Sequence, residues 1–365
     1  MKVLIVSNTA WSILKFRLGL VLALQQAGWE VTALAPADGY TASLPCEFIP
    51  LEFTRSGTDP FGDLRLLRRL RVLYREMAPA VVLHFTSKPN IYGSIAAGQL
   101  GIPSIANITG LGSAFLGAGP VAWIQGLLYR YALPFARGVF FQNPDDRLLF
   151  LQRGMVSPDK AALLPGSGID LAEFSPRPAP SGGRFAFLMI ARLIRDKGIH
   201  EYVEAARSLR ARGIDVECRV VGFLDEGNPT GVKAGELEHW AEEGVLTFLG
   251  RRDDVREEIA RAGCIVLPSY REGTPRSLLE AAAMARPIIT TDVAGCRWVV
   301  EDGQTGMLCK AGNSRDLAEK MELLLRLAPA ERERLGRNGR AKMEREFGEQ
   351  IVVRKYLEAL QKVIA

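Results

Sequence analysis

The chain has 365 residues, near-average charged and apolar content and a formal net charge of +5. That length predicts two domains, each with its own core, and the composition excludes the disordered and fibrous classes. Five scattered cysteines without a CxxC pair exclude a disulfide framework or cysteine zinc site, and three isolated histidines offer no metal-ligand spacing.

The first apolar run, residues 3–6, reads as a strand followed by the polar Ser-Asn-Thr, not as a signal peptide. No run of about 18 apolar residues follows anywhere, so no membrane-spanning helix is expected. Strand-like runs at 31–34, 81–83, 104–106 and 138–141 alternate with helix-period segments such as 18–26 and 64–76, the pattern of a parallel sheet covered on both faces. The pattern restarts after the Pro/Gly/Ser-rich residues 175–183, the expected linker. Strands resume at 185–190, 217–221, 246–249, 264–267 and 288–290, and an amphipathic helix closes the chain at 347–363. The expected division is 1–175, 176–345 and a terminal helix 346–365. Two doubly wound halves would carry ligands at the carboxyl ends of both sheets.

Within the first half, the loop from Asn8 to Arg17 follows strand one. Arg17 reads either as an anion contact or as an exposed arginine at a helix start. Leu64, Leu67, Leu70 and Leu73 form a helical apolar stripe, with Arg65, Arg68, Arg69, Arg71 and Arg75 over the remainder. A basic amphipathic helix suits an anionic membrane surface, where each cation contributes about 1 kcal/mol; the alternative is a solvated surface helix. No stacking aromatics accompany the arginines, which argues against nucleic acid. His84 to Gly93 closes a strand and opens a helix, and presents Lys88 and Asn90. The glycine-rich stretch from Asn107 to Pro120 offers Asn107 and Thr109 but no basic side chain. Phe115, Leu116, Trp123, Ile124, Leu127 and Leu128 read as an ordinary buried helix in preference to a hydrophobic slot for a long apolar chain.

In the second half, Arg192 and Lys197 stand between a strand and the next helix, expected at 198–209. Two cations and a helix N-terminus can stabilise a departing diphosphate without metal, and no Asp-x-Asp signature occurs. Arg251 follows another strand. The stretch Pro268-Ser-Tyr-Arg-Glu-Gly-Thr-Pro-Arg-Ser-Leu-Leu-Glu280 runs from strand to loop to helix, with Pro275 in the first helical turn, Glu272 before it and Glu280 inside. Leu and Ala around Glu280 suggest partial burial, where a charge needs partners.

Lys88-Pro-Asn-Ile-Tyr-Gly93, Leu164-Pro-Gly-Ser-Gly-Ile-Asp170 with Phe174, Met189-Ile-Ala-Arg-Leu-Ile-Arg-Asp-Lys-Gly198, Glu272-x7-Glu280, and Pro287-Ile-Ile-Thr-Thr-Asp292 with Gly295 occur in order across nearly the whole chain. Together they resemble the retaining glycosyltransferases of family 4. The N-terminal half looks most like enzymes that extend polyprenyl-diphosphate-linked oligosaccharides in bacterial glycan assembly, N-acetylgalactosaminyltransferases among them. The resemblance implies an α/β GT-B fold of two Rossmann-like domains facing across a cleft, with the last helix crossing back to the first. It implies a nucleotide-sugar donor, a UDP-linked hexose or N-acetylhexosamine, a lipid-linked saccharide acceptor, and no metal or other cofactor. It also implies peripheral attachment to the inner face of the cytoplasmic membrane. By the same resemblance, Arg192 and Lys197 bind the diphosphate and Glu272 holds donor-sugar hydroxyls. Gly273, Thr274 and Pro275 supply backbone contacts, Glu280 accepts from ribose hydroxyls, and the region of Arg251 meets the base. Asn8, Arg17, Lys88, Asn90 and Thr109 are the implied acceptor contacts. Many relatives carry a Gly-Gly pair in the first loop and a histidine in the 107–120 loop; this chain has neither. The alternatives are a UDP-sugar 2-epimerase of the same fold, for which acid/base groups at the donor C2 are not found, and a non-catalytic nucleotide-sugar-binding subunit.

Overall fold

The computed structural model describes residues 1–54, 59–111, 119–178, 182–225, 227–228 and 230–364. Phe115 and Leu116, the rest of the loop at 112–118, and the start of the basic stretch at 55–58 lie outside them. The chain divides into two compact units: residues 1–168 with 349–365, and residues 169–348.

The first unit contains β1 (Lys2–Val6), α1 (Ala10–Gln26), β2 (Glu30–Ala35), β3 (Glu47–Pro50), α2 (Pro60–Met77), β4 (Val81–Phe85), a π-turn (Pro89–Gly93), α3 (Ser94–Gln99), β5 (Ser104–Ile108), α4 (Pro120–Ala132), β6 (Gly138–Phe141), α5 (Pro144–Gln152) and β7 (Ala161–Leu163). The strands are short and apolar, and β1, β4 and β5 are buried along almost their whole length, as strands covered on both faces must be. They pair in parallel in the order β3-β2-β1-β4-β5-β6-β7. Helix starts are set by side-chain caps: Thr9 accepts from the Ser12 amide at 2.9 Å, Asp59 from Gly62 at 3.0 Å and Asn143 from Asp146 at 2.8 Å.

The second unit contains β8 (Phe185–Ile190), α6 (Ile199–Ala211), β9 (Val216–Val221), α7 (Ala234–Glu242), β10 (Thr247–Phe248), α8 (Arg256–Ala260), β11 (Cys264–Leu267), α9 (Arg276–Ala283), β12 (Ile288–Thr291), α10 (Cys296–Val299), β13 (Met307–Cys309), α11 (Ser314–Arg326) and α12 (Pro329–Lys342). Its parallel order is β10-β9-β8-β11-β12-β13. The terminal helix α13 (Glu349–Ile364) belongs to the first unit, where Val352, Tyr356, Leu360 and Val363 share a core with Val3, Ile5 and Leu83.

The unit boundary falls at 168/169, ahead of the segment expected as the linker. Arg340 donates to the carbonyls of Phe174 and Ala283 at 2.9 Å each, and Arg286 to those of Arg177 at 3.0 Å and Pro178 at 2.7 Å. Two guanidinium groups, Arg286 buried and Arg340 largely so, thus tie residues 169–178 into the second unit, an anchorage that a Pro-rich composition does not reveal. The α2 stripe is also displaced from its expected register. Leu66, Leu70, Leu73 and Tyr74 are the buried face, whereas Leu64 is 44% exposed.

In both sheets the chain first builds strands to one side of the opening strand and then returns to the other. The strand order therefore reverses between β1 and β4, and between β8 and β11. Ligand sites of open α/β sheets lie outside the carboxyl ends of the strands at such points.

His84 sits on β4 with no exposed surface, its Nε2 2.9 Å from the Tyr74 hydroxyl. Burial lowers its pKa from 6.5 to about 3, so the folded chain holds it neutral. The folded value lies below the unfolded one, so the unfolded chain takes up the proton first. Stability is then fully present above the unfolded value and falls as pH drops through that window, by about 1.4 kcal/mol per pH unit. Urea melts between pH 6.5 and 5 should show a steeper loss for the wild-type chain than for His84→Gln. Equal slopes would refute a neutral buried imidazole.

Candidate functional site

The carboxyl end of β11 leads through Pro268 to Ser269, Tyr270 and Glu272, and the carboxyl end of β8 leads to Arg192 and a 3₁₀ turn at Arg195–Lys197. The backbone joins these two loops. The Tyr270 amide donates to the Asp196 carbonyl at 2.9 Å, and the Ser269 hydroxyl lies 3.0 Å from the same oxygen. Two glycines permit the approach. Gly198 has φ +76°, and a Cβ there would collide with the Pro268 carbonyl. Gly295 has φ +80°, and a Cβ there would collide with the carbonyls of Glu272 and Gly273.

The result is an ion pair drawn from two loops. Lys197 Nζ lies 2.5 Å from Glu272 Oε1, with side chains 19% and 10% exposed. The Ser269 hydroxyl lies 2.8 Å from the same carboxylate oxygen, and the Glu272 amide donates to the Ala294 carbonyl at 3.2 Å. Arg192 stands at the loop's other end, half exposed, its guanidinium 3.2 Å from Asp225. Gly273, Thr274 and Pro275 lead into α9, which begins at Arg276, so Pro275 caps the helix in extended conformation instead of lying in its first turn. Glu280, one turn in, is 3.1 Å from Arg276. Arg276 also stands over the Phe174 ring at 5.8 Å. Arg251 lies at 5.6 Å over Phe223, which follows β9. Close to Glu272, burial first and that carboxylate second push the Cys296 thiol up to about 12. It stays protonated and is no nucleophile.

The loops after β8 and β11 thus carry Arg192, Lys197 and Glu272 together, with Glu280 on the helix that follows. Sequence reasoning missed Ser269, Arg276 and Phe223. The i,i+4 spacing of Arg276 to Glu280 could have found one of them; the others depend on loop geometry.

In the first unit, the ends of β1, β4 and β5 adjoin. They lead to Asn8, to Thr86–Lys88 and to Thr109, all partly exposed. Arg17 is not an exposed helix-start arginine. It is 8% exposed and its guanidinium covers the Phe85 ring at 4.5 Å. The next residue, Thr86, is β-branched with φ +71°, and its buried hydroxyl has no hydrogen-bond partner among the described residues. Backbone strain of this kind costs about 1–3 kcal/mol and clusters at ligand sites, a signal invisible in sequence.

Two expected acceptor contacts are committed elsewhere. Lys88 is 2.7 Å from Asp63 of α2, with both side chains largely buried. Asn90 is 1% exposed and its amide is spent on Asn107, accepting from the Asn107 amide at 3.0 Å and donating to the Asn107 carbonyl at 2.7 Å. A side chain with both polar ends satisfied in the core is a structural strut. The expected buried helix at Trp123–Leu128 is also corrected. Trp123 is 68% exposed, Ile124 42% and Leu127 44%, because α4 packs through Ala122, Gly126, Tyr129 and Ala132 instead.

Among the described residues no helix is long and apolar enough to cross a membrane, and no group of three or more His, Cys, Asp or Glu could hold a metal ion.

The family model "Glycosyl transferases group 1" matches residues 172–342, and "Glycosyl transferase 4-like domain" matches residues 15–166. The chain is 30% identical, over its whole length and 99% of the relative, to the N,N'-diacetylbacillosaminyl-diphospho-undecaprenol alpha-1,3-N-acetylgalactosaminyltransferase of Campylobacter jejuni. It is 25% identical, over 80% of its length and 79% of the relative, to the capsular polysaccharide biosynthesis glycosyltransferase CapM of Staphylococcus aureus. Among solved structures, the sucrose-phosphate synthase of Thermosynechococcus elongatus superposes with TM-score 0.81 at 20% identity, covering 99% of this chain and 98% of that one. Anabaena HepE in complex with UDP superposes with TM-score 0.77 at 18% identity, covering 99% of this chain and 100% of that one. The chain is a glycosyltransferase of family 4, with the GT-B fold.

Proposed function

We propose that the protein transfers a sugar, with retention, from a UDP-linked hexose or N-acetylhexosamine to a polyprenyl-diphosphate-linked saccharide. The observation that supports this best is the Lys197–Glu272 pair, on loops that leave the carboxyl ends of β8 and β11 at the strand-order reversal of the second sheet, with Arg192 on the same loop as Lys197. In this reading the cations take the diphosphate and Glu272 takes hydroxyls of the donor sugar. Backbone amides from Gly273 to the start of α9 face the diphosphate, while Glu280 accepts from the ribose and Phe223 with Arg251 borders the base. The departing phosphate helps take the acceptor proton in a front-face displacement, which spares the enzyme a pair of catalytic carboxylates. Positive charge held in place by the fold stabilises the leaving group, so the reaction proceeds without metal. Asn8, Arg17, Thr86 and Thr109 are the acceptor contacts, with Lys88, held by Asp63, on the same loop as Thr86. The N-acetylgalactosaminyltransferase likeness supports a lipid-linked acceptor.

Transfer from a panel of nucleotide sugars to a lipid-linked saccharide tests the reading. The matching donor should also protect against thermal unfolding, because it binds only the folded chain. Sugar epimerised without acceptor would establish the epimerase instead, and loss of turnover with chelator would overturn the metal-free step.

We further infer peripheral attachment to the inner face of the cytoplasmic membrane. Arg65, Arg68, Arg69, Arg71 and Arg75 are all exposed on α2 and make no ion pair among the described residues. Binding to anionic vesicles should weaken as salt rises, and Arg68→Glu with Arg75→Glu should remove the salt-dependent part. Salt-independent binding by that variant, equal to wild type at low salt, would exclude the arginine contact.

A further inference from the structure

Helix α4 buries a face of small residues and leaves an apolar one outside. Ala122, Gly126, Tyr129 and Ala132 point into the core. Opposite them Trp123 is 68% exposed, Ile124 42%, Leu127 44% and Tyr131 59%. At the helical repeat these four fall within an arc of about 100°, and Arg130 is the charged residue beside them. A contiguous exposed stripe of this kind marks an interaction surface, not a solvated one.

Helix α2 lies on the same side of the sheet. It links β3 to β4 and α4 links β5 to β6, both moving the same way across the parallel order, so right-handed crossovers put both on one face. Both are fastened to the segment between them. Asp63 of α2 bonds Lys88 at 2.7 Å and Tyr92 at 2.8 Å, and Gln125 of α4 bonds Ser87 at 3.3 Å. Leu67 of α2 packs on the cluster that holds Tyr129 of α4. The outward side of α2 opens with Phe61, 83% exposed, and Leu64, then continues as Arg65, Arg68, Val72 and Arg75. The two helices thus present an apolar stripe and a cationic one on the same face of the sheet.

We propose that α4 inserts its Trp123, Ile124, Leu127 and Tyr131 stripe into the interfacial layer of an anionic bilayer, while the arginines of α2 meet the headgroups. This deepens the peripheral placement proposed above by adding an apolar contact that salt does not screen. Trp and Tyr suit the boundary between headgroup and acyl chain, and arginines with no ion pair among the described residues complement anionic lipid. A second copy seated isologously on this face would bring like-charged α2 helices together.

The probe is a vesicle of phosphatidylcholine and phosphatidylglycerol with brominated acyl chains. Trp123 is the most exposed tryptophan described, since Trp29 and Trp240 are buried and Trp11 and Trp298 are partly so. Vesicles should blue-shift and quench the protein's emission. Trp123→Phe should abolish that quenching while sedimentation with vesicles persists. Ile124→Ser with Leu127→Ser should lower the vesicle partition coefficient at high salt at least tenfold with only a small fall in Tm, since both side chains lie on the outer face of α4 and are about two-fifths exposed. Unchanged emission with bromolipid, wild-type partition of the double serine variant, or a lipid-free dimer that this variant dissolves would each overturn the proposal. None of these readouts requires turnover, so failure of the transferase reading leaves them standing. Loss of the α2 arginines removes the salt-sensitive part alone.

Discussion

Replacing Lys197 by methionine is expected to lower kcat by two to three orders of magnitude, with a smaller change in the KM for donor. The charge on the diphosphate grows as it leaves, so a cation aimed at it is worth more in the transition state than in the bound donor. Removing one such preorganised contact costs about 10²–10³ in kcat. The structure adds a complication, because Lys197 is also the partner of Glu272 at 2.5 Å. With side chains only 19% and 10% exposed, deleting one member leaves a poorly solvated charge, a loss of about 3 kcal/mol. Activity and stability therefore both fall in the single variant.

A double-mutant cycle separates the two effects. Glu272→Gln takes the carboxylate charge from beside the ammonium, and Lys197→Met takes the ammonium from beside the carboxylate, which keeps its bond from Ser269. The combined variant leaves no unpaired charge and should recover most of the lost Tm. If the pair were only a structural clamp, the combined variant would recover turnover with it. In the mechanism proposed here turnover stays at least two decades down, about the scale of one lost oxyanion-type contact. Recovered turnover would remove Lys197 from the chemistry. Lys197→Arg is expected to rescue little, since a planar fork does not occupy the position of a compact ammonium.

The sequence exposed what depends on period and order. Alternating apolar runs announced two parallel sheets, and the strand-loop-helix pattern from Cys264 to Glu280 put Glu272 and Glu280 around a helix start, where the structure has them. Arg192 and Lys197 were legible because they follow a strand that ends in their loop. What escaped depends on three-dimensional neighbours. No spacing rule tells that Lys88 meets Asp63 from 25 residues away, since the approach is made by packing of α2 on the π-turn. The inner face of α4 is made of Ala122, Gly126 and Ala132, so counting large apolar residues picked the outer face as the core. Likewise the strain at Thr86 is a backbone angle, and threonine gives no hint of it.

Asn90, bonded at both polar ends to Asn107, yields the other large effect, on stability. Asn90→Ala should destabilise the chain by about 3 kcal/mol, because it orphans a buried amide and a buried carbonyl of Asn107, each at about 1–3 kcal/mol. Asn107 itself is 2% exposed. Its side-chain amide donates to the His84 carbonyl at 2.9 Å, and its side-chain oxygen accepts from the Tyr356 hydroxyl at 2.5 Å. This network joins β4, β5 and the π-turn to α13, a helix separated from them in sequence by the entire second unit. Asn107→Leu should therefore cost at least as much as Asn90→Ala, and Tyr356→Phe about 1–2 kcal/mol, the loss of one buried partner. The Asn107→Leu and Tyr356→Phe effects should be less than additive, since both break the same bond. Chemical denaturation measures all three. An acceptor contact would behave oppositely: Asn90→Ala would keep its denaturation midpoint and raise the KM for the lipid-linked saccharide. Because the Asn90 amide is already satisfied at both ends, the expected result is a lowered midpoint with an unchanged KM in the fraction that remains folded.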